Sequence, residues 1–317
     1  MFIDLLKIKF DMEFNVVINI DDNYVQHCMA MLCSLFNNNK EHHIHVHVLT
    51  AKLSNDNTIM LNNLAKKYAN DIFVYNVDES PLEGVQFRKE RPLSKAAYYR
   101  LLLASILPGN INRILYLDCD MIVLGDVSEL FELEIENYAL AATLDTFPYS
   151  TLHRRQLHLS MNADVFCSGM MLVNLKYWRD NKVQDTLLEY ARRRREVVFL
   201  HDQDVLNYAF QNKWFILPPK WNKYPTTNMP STTLYCKAYD LDEYYNNPKI
   251  IHYADKLIKP WNDCPSPSKG LYQKYLKLSG YQDTLYIKVN NKIKFQSIKT
   301  IILLWIGRNI KRRFFAR

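Results

Sequence analysis

The chain is poor in glycine, with seven in 317 residues, and it has no low-complexity tract. That excludes collagen-like and most disordered compositions. Its six cysteines, Cys28, Cys33, Cys119, Cys167, Cys236 and Cys264, include no CxxC pair. The spacing of a zinc framework or disulfide scaffold is therefore missing, and a reducing compartment is the simpler expectation. No window offers the ~20 uninterrupted apolar residues that a membrane-spanning helix needs. The opening MFIDLLKIKFDMEF places Asp4 inside its short apolar stretch and lacks a small-residue cleavage site, so no secretory signal is expected. The net charge of +7 comes without a nucleic-acid motif or an aromatic-interleaved basic groove, so no nucleic-acid partner is expected. Internal repeats are lacking too, and nothing in the sequence sets an oligomeric state.

What is present suffices for a large core: 48% of the residues are hydrophobic. FNVVINI (14–20) has the length and composition of a strand. Residues 21–39 follow with Tyr24, Cys28, Met31, Leu32 and Leu35 at helical spacing. HIHVHVLT (43–50) alternates as a strand, 53–69 is helical, 71–77 is strand, and LSKAAYYRLLLASIL (93–107) is helical. CSGMMLVNLKYW (167–178) is strand-like, and a helix carrying Arg192 to Arg195 leads to HDQD (201–204). This rhythm predicts an α/β layer fold whose strands are mostly parallel. In such sheets ligands bind beyond the carboxyl ends of strands, where both IDDN (20–23) and LDCD (117–120) fall. Residues 212–265, rich in Pro, Asn and Tyr, predict a long loop-rich surface.

RILYLDCDMIV (113–123) runs an apolar strand into two like charges. In an extended chain, residues two apart share a face at ~7 Å. Asp118 and Asp120 would therefore repel each other at the edge of a low-dielectric core unless a cation intervenes. A strand end followed by an aspartate turn accounts for one carboxylate but not for two. Two carboxylates on one face suit a divalent ion that bridges to phosphate oxygens. A second chemistry has the same signature: in haloacid-dehalogenase-type phosphatases the first aspartate attacks phosphate and the second is the acid/base. More than 100 residues of orderly α/β chain precede the motif here, and a further acidic pair downstream is lacking.

Seven segments in order, IDDN (20–23), YYR (98–100), LYLDCDMIVLGDVSELF (116–131), LDTF (144–147), FCSGMMLVNLKYWR (166–179), HDQDVLN (201–207) and IIHYADKLIKPW (250–261), together resemble glycosyltransferase family 8. The resemblance spans residues 14 to 265 and implies a GT-A fold, with a mixed, mostly parallel sheet flanked by helices. It implies a GT-A domain over 1–275, with a donor half at about 14–130 and an acceptor half at about 131–265. Residues 276–317 would be a basic amphipathic tail. Asp118, Asp120 and His252 match the metal ligands; an imidazole in the set favours Mn²⁺, with Mg²⁺ as the alternative. Asn19, Asp21 and Asn23 match positions that hold uracil and ribose. Arg100 and Asp145 match positions that grip the sugar, and Lys259 one that faces the diphosphate. Cys119, Cys167 and Ser168 fall at further donor-contacting positions. Asp202 and Gln203 match the residues beside the anomeric carbon.

The implied reaction is retaining transfer of galactose or glucose from a UDP-hexose to a lipopolysaccharide, lipooligosaccharide or related surface glycan. A non-catalytic protein that binds nucleotide sugars is the reading from a different class. Two departures from the family pattern stand out. Cys167 replaces the usual asparagine, and a thiol lacks an amide's two donors and its acceptor. Ala254 and Asp255 replace a glycine after the His-Tyr pair, in a loop one residue longer.

His43, His45 and His47 share one strand face. They are read as the polar face of an edge or half-exposed strand, because imidazoles on one strand converge poorly on a tetrahedral ion. Arg192 to Arg195 read as a solvated helix face. The segment SIKTIILLWIGRNIKRRFFAR (297–317) mixes aliphatic and aromatic residues with Lys299, Arg308, Lys311, Arg312, Arg313 and Arg317. It is expected to lie in the plane of an anionic membrane surface, which places the protein in the cytoplasm on the inner face of the cytoplasmic membrane.

Overall fold

The computed structural model describes residues 13–85, 95–145, 149–193, 200–225, 241–255, 259–282 and 285–315, without the side chains of 241, 242 and 304–315. Seven strands form the main sheet: β1 (Phe14–Asn19), β2 (Ile44–Thr50), β3 (Asp71–Asn76), β4 (Arg113–Leu117), β6 (Leu140–Leu144), β7 (Phe166–Asn174) and β8 (Trp214–Ile216). Their spatial order is β3-β2-β1-β4-β7-β6-β8, and β5 (Met121–Val123) pairs separately with β9 (Ile250–His252). Strands β1 to β4 run parallel, β7 is antiparallel to both β4 and β6, and β8 returns parallel to β6. The sheet is thus mixed and mostly parallel. It runs unbroken past residue 130, so the expected donor and acceptor halves share one sheet.

Alternation along the strands sorts two cores. Val16, Ile18, Val46, Val48, Leu115 and Leu117 pack on one face, under α1 (Val25–Asn37) and α2 (Asn55–Lys67). Val17, Tyr116, Met171 and Val173 pack on the other, under the segment 95–106 and the helices 175–180, 183–193 and 202–209. Every residue of α1 from Val25 to Phe36 is buried, more than its apolar stripe predicts. The reason is a third layer: the helix Lys269–Ser279 crosses its outer side, where Tyr272 Oη lies 3.0 Å from Gln26 Nε2 and 2.8 Å from His27 Nδ1.

Four expectations change. The helix expected over 93–107 is a tighter 3₁₀ turn over Lys95–Leu102, followed by a short α-helix, Leu103–Ile106. Strand β7 ends at Asn174, whose side chain accepts from Tyr177 N and starts a helix, so the strand-like reading of 167–178 holds only as far as 174. Strand β2 is interior rather than an edge, with β1 and β3 on either side. The helix Lys269–Ser279 runs through the boundary expected at residue 275. Arg194, Arg195, Cys236 and the loop 226–240 lie outside the described residues.

Candidate active site

Strand β4 stops at Leu117, and Asp118, Cys119 and Asp120 form the turn into β5. The pair therefore sits beyond the strand end rather than on an extended face. Pairing of β5 with β9 sets Met121 opposite His252, which brings an imidazole from far along the chain to the aspartates. One ligand atom each from Asp118, Asp120 and His252 can be chosen so that all lie within 4.8 Å of one another. Gly169 makes the approach possible. A Cβ there would stand 2.5 Å from His252 Cε1 and 2.8 Å from Asp118 Oδ2.

Two basic side chains answer the repulsion between the carboxylates. Arg100 Nη2 donates to Asp118 Oδ1 at 2.8 Å, and Lys259 Nζ donates to Asp120 Oδ2 at 2.6 Å. Arg100 is buried, stacked over the Tyr116 ring at 4.4 Å, and its Nε also pairs with Asp202 Oδ2 at 3.2 Å. Burial disfavours its charge, but Asp118 and Asp202 outweigh that and raise its pKa. Burial likewise opposes the charge on Asp120, yet Lys259 and His252 hold its carboxyl well below the usual range. His252 Nε2 lies 3.2 Å from Asp120 Oδ1. Burial works against its proton, but the Asp120 charge dominates and lifts it to about 10. Asp120 Oδ1 is buried, and its one close polar neighbour among the described residues is the His252 imidazole.

The residues expected beside the sugar form a second, connected layer. Asp202 opens the helix Asp202–Ala209 and is 5% exposed; burial, against the Arg100 charge, pushes its carboxyl up to about 6. It accepts from Ser168 Oγ at 3.0 Å. The Gln203 amide is oriented at both ends: Nε2 donates to Asp145 Oδ2 at 2.7 Å, and Oε1 accepts from Ser168 N at 3.0 Å. His201, just before them, holds a left-handed φ of 55°, a strained conformation for a residue with a side chain. At the end of β1, Asp21 accepts from Asn23 N at 3.0 Å, and the buried amide atoms of Asn19 have no hydrogen-bond partner. Cys119 Sγ lies 3.9 Å from Asn19 O, which ties the two strand ends together.

The residues matched to the donor site therefore fall along one rim of the sheet, at the ends of β1, β4, β6 and β9, at the start of the antiparallel β7, and at the start of the helix 202–209, with Arg100 and Lys259 reaching in from neighbouring segments. Several others there were not foreseen. Tyr116 Oη donates to Asp118 Oδ1 at 3.0 Å, and same-face alternation two residues before Asp118 was the signal for it. Asn222 Oδ1 lies 3.0 Å from His252 Nδ1, nearer than Cys167 Sγ at 3.8 Å. An amide thus stands beside the imidazole even though Cys167 replaces the family's asparagine. Nothing in the spacing of a Pro- and Tyr-rich loop points to Asn222.

A mostly parallel α/β sheet with a carboxylate pair and an imidazole at its carboxyl rim defines a GT-A glycosyltransferase. The sequence model described as glycosyl transferase family 8 matches residues 15–264, and the chain belongs to that family. It is 30% identical to general stress protein A of Bacillus subtilis (strain 168) over 83% of this chain and 92% of that one. It is 28% identical to a lipopolysaccharide 1,2-glucosyltransferase of Escherichia coli, over 88% and 82%. It is 27% identical to the lipopolysaccharide 1,3-galactosyltransferase of Salmonella typhimurium (strain LT2), over 79% and 73%. In fold it matches the galactosyltransferase LgtC crystallised with donor and acceptor sugar analogs, with a TM-score of 0.73 and 22% identity over 88% and 98% of the two chains. The phosphatase alternative falls with this membership.

Proposed function

We propose that the chain is a retaining, metal-dependent hexosyltransferase that moves galactose or glucose from a UDP-sugar to a lipopolysaccharide, lipooligosaccharide or related surface-glycan acceptor. The observation that carries this reading is the convergence of Asp118, Asp120 and His252, whose ligand atoms can be chosen within 4.8 Å of one another. The names of the glucosyl- and galactosyltransferase relatives support the sugar class. Two carboxylates and an imidazole would hold a divalent cation, with Mn²⁺ favoured over Mg²⁺. When bound, such an ion supplies neutralisation of the charge that grows on the diphosphate as the glycosidic bond breaks.

The chain's own residues do the rest. Lys259 carries a second positive charge beside the same oxygens. Asn19, Asp21 and Asn23 take the uridine, and Asn19 brings an amide whose atoms have no protein partner. Arg100 and Asp145 grip sugar hydroxyls while they also anchor Asp202 and Gln203. Those anchors bear on mechanism. Asp202 already accepts from Ser168 and pairs with Arg100, and Gln203 Oε1 accepts from Ser168 N, so both are weakened as nucleophiles. This favours a same-face transfer in which the leaving phosphate takes the acceptor's proton, while Asp202 and Gln203 steady the positive sugar.

The reading also places the protein on the cytoplasmic face of the membrane as a peripheral enzyme. The helix Asn291–Phe315 supports this: Phe295, Ile298, Ile302 and Leu303 are exposed along it, and Lys294 ties its start to Asp263 at 2.8 Å. Among the described residues no helix is long and apolar enough to cross a membrane.

A donor screen tests the proposal. Thermal unfolding is followed with each UDP- and GDP-hexose, with and without Mn²⁺, and then release of the nucleotide diphosphate is measured. UDP-galactose or UDP-glucose should stabilise the protein only with Mn²⁺ and should turn over to UDP. Stabilisation by GDP-sugars alone would sink the donor assignment, and binding without turnover would favour the non-catalytic reading.

A further inference from the structure

The other end of the sheet carries a second group of ligand-type side chains. His43 immediately precedes β2 and His45 lies within it, so both side chains leave the same face. The register of β2 against β3 puts Asp71 directly opposite His45. His43 Nε2 is 2.9 Å and His45 Nδ1 is 3.5 Å from the same oxygen, Asp71 Oδ2. Ligand atoms of all three side chains can be chosen within 4.8 Å of one another. Bonds of ~2.0–2.1 Å in tetrahedral geometry put neighbouring ligand atoms ~3.3 Å apart, which lies between the two observed separations. Convergence fails for imidazoles of one strand alone. Here the neighbouring strand supplies the third ligand, and the edge of the sheet leaves room for a water as the fourth.

A second observation points the same way. The far nitrogen of His45, Nε2, is buried without a hydrogen bond and faces Glu13 Oε2 at 3.7 Å. A metal-ligating histidine commonly turns its other N–H toward a carboxylate, which fixes the tautomer and the ring orientation. Glu13, on the chain just before β1, stands where that partner is needed. Two imidazoles with a carboxylate are the donor set of zinc and its neighbours rather than of Mg²⁺ or Ca²⁺.

We propose that His43, His45 and Asp71 form a second metal site, for Zn²⁺ or a similar borderline divalent cation, with Glu13 orienting His45. β1 to β4 are parallel, so this cluster sits at the amino ends of strands whose carboxyl ends carry the donor site. The site takes no part in transfer. It clamps β3, the outermost strand of the sheet, to β2. A ligand that binds only the folded chain raises its stability.

The test uses full-length protein carrying Asp118→Asn and Asp120→Asn, which removes the competing cluster. Zn²⁺ titrated by calorimetry should still bind one equivalent, with affinity at least tenfold weaker after Asp71→Asn is added. Co²⁺ in its place should give the intense visible bands of a four-coordinate ion, and His43→Ala should abolish them. Zinc should raise the unfolding midpoint of the double variant but not of its Asp71→Asn derivative. If the double variant does not fold, the comparison moves to His43→Ala/His45→Ala in an otherwise native chain, which should bind one equivalent fewer than the parent. Absence of zinc binding in a folded double variant, or an affinity indifferent to Asp71→Asn, overturns the proposal and leaves an ordinary histidine–aspartate pairing.

Discussion

The two ends of the sheet use one device at different depths. Each has two ligand-type residues at i and i+2 and a third delivered by another strand. At the carboxyl end, Asp118 and Asp120 are mostly buried and each is paired with a basic side chain, Arg100 or Lys259. At the amino end, Asp71 is half exposed and is matched by two imidazoles. Burial explains the difference. A carboxylate that has lost water needs a close positive charge, and the guanidinium of Arg100 and the ammonium of Lys259 supply it. A half-exposed carboxylate keeps enough water to do without one. On the proposed reading the carboxyl end receives a polyanion together with a metal, whereas the amino end is suited to an ion alone.

The largest expected effect separates the two ends outright. Asp120→Ala removes a ligand atom and the counter-charge of Lys259 and His252. Turnover of the UDP-sugar should fall about 10³-fold, the upper range for loss of one preorganised electrostatic contact. Circular dichroism should report an intact fold, and zinc binding at the amino end should be unchanged. A smaller effect is expected at Gly169. The methyl of Gly169→Ala would press on His252 and Asp118 from 2.5 and 2.8 Å, so the ligands must part. The Mn²⁺ concentration for half-maximal turnover should rise about 10- to 100-fold, as it does when the support of a ligand is disturbed. A manganese titration of turnover reads this directly, and an unchanged midpoint would mean that the ligands do not need that close approach.

Local pattern showed one half of each cluster. The succession of strands and helices from β1 to β4 followed from period-2 and helical spacing, and the DxD announced itself because like charges at a strand end demand compensation. His252, Lys259 and Asp202 came from resemblance, since no periodicity connects them to Asp118. The compensating contacts were hidden too: Arg100 meets Asp118 from a 3₁₀ segment 18 residues earlier, a contact that spacing does not reveal. Burial of α1 on all sides was equally illegible, because the helix that covers it lies more than 230 residues on. The same blindness set aside the histidines of β2. Their own strand gives poor convergence, and Asp71 joins them only through the β2–β3 register.

Two further buried imidazoles, His27 and His47, give a pH-dependent comparison. His27, stacked on Trp261 at 3.6 Å, is driven down to about 3, chiefly by burial. His47, between Asn15 and Tyr75, is driven down to about 4 by burial, with help from His45. Both bind fewer protons folded than unfolded, where a histidine titrates near ~6.5. Their contribution is complete above that value and is lost as pH falls toward the folded pKa. At pH 5 the loss is about 2 kcal/mol from each. His252 and Asp202 are shifted upward and act in the opposite sense, so the readout is a difference between proteins that share them. In denaturant titrations at pH 7.5 and 5, His27→Asn and His47→Asn should each shrink the acid loss by about 2 kcal/mol. A slope unchanged by either substitution would show that the imidazole is not held neutral.

The smallest effect on catalysis is expected from the tail, which lies outside both ends of the sheet. The helix Asn291–Phe315 is fastened to the body at its start, through Lys294 to Asp263 and through Ser297 Oγ to Pro265 O at 2.5 Å. Truncation after Ile298 keeps both fastenings and removes Lys299, Arg308, Lys311, Arg312, Arg313 and Arg317 together with the aliphatic and aromatic residues between them. Each basic residue near an anionic surface adds about 1 kcal/mol of attraction, so losing six should release the protein from anionic vesicles almost completely. Hydrolysis of the donor in solution should stay within twofold of the parent, because no residue of the candidate site is touched. Sedimentation with vesicles of mixed neutral and anionic lipid measures the first outcome, and UDP release measures the second. Undiminished vesicle binding after truncation would move the membrane-facing surface elsewhere, whereas loss of both binding and hydrolysis would mean that the helix supports the donor site through the fold.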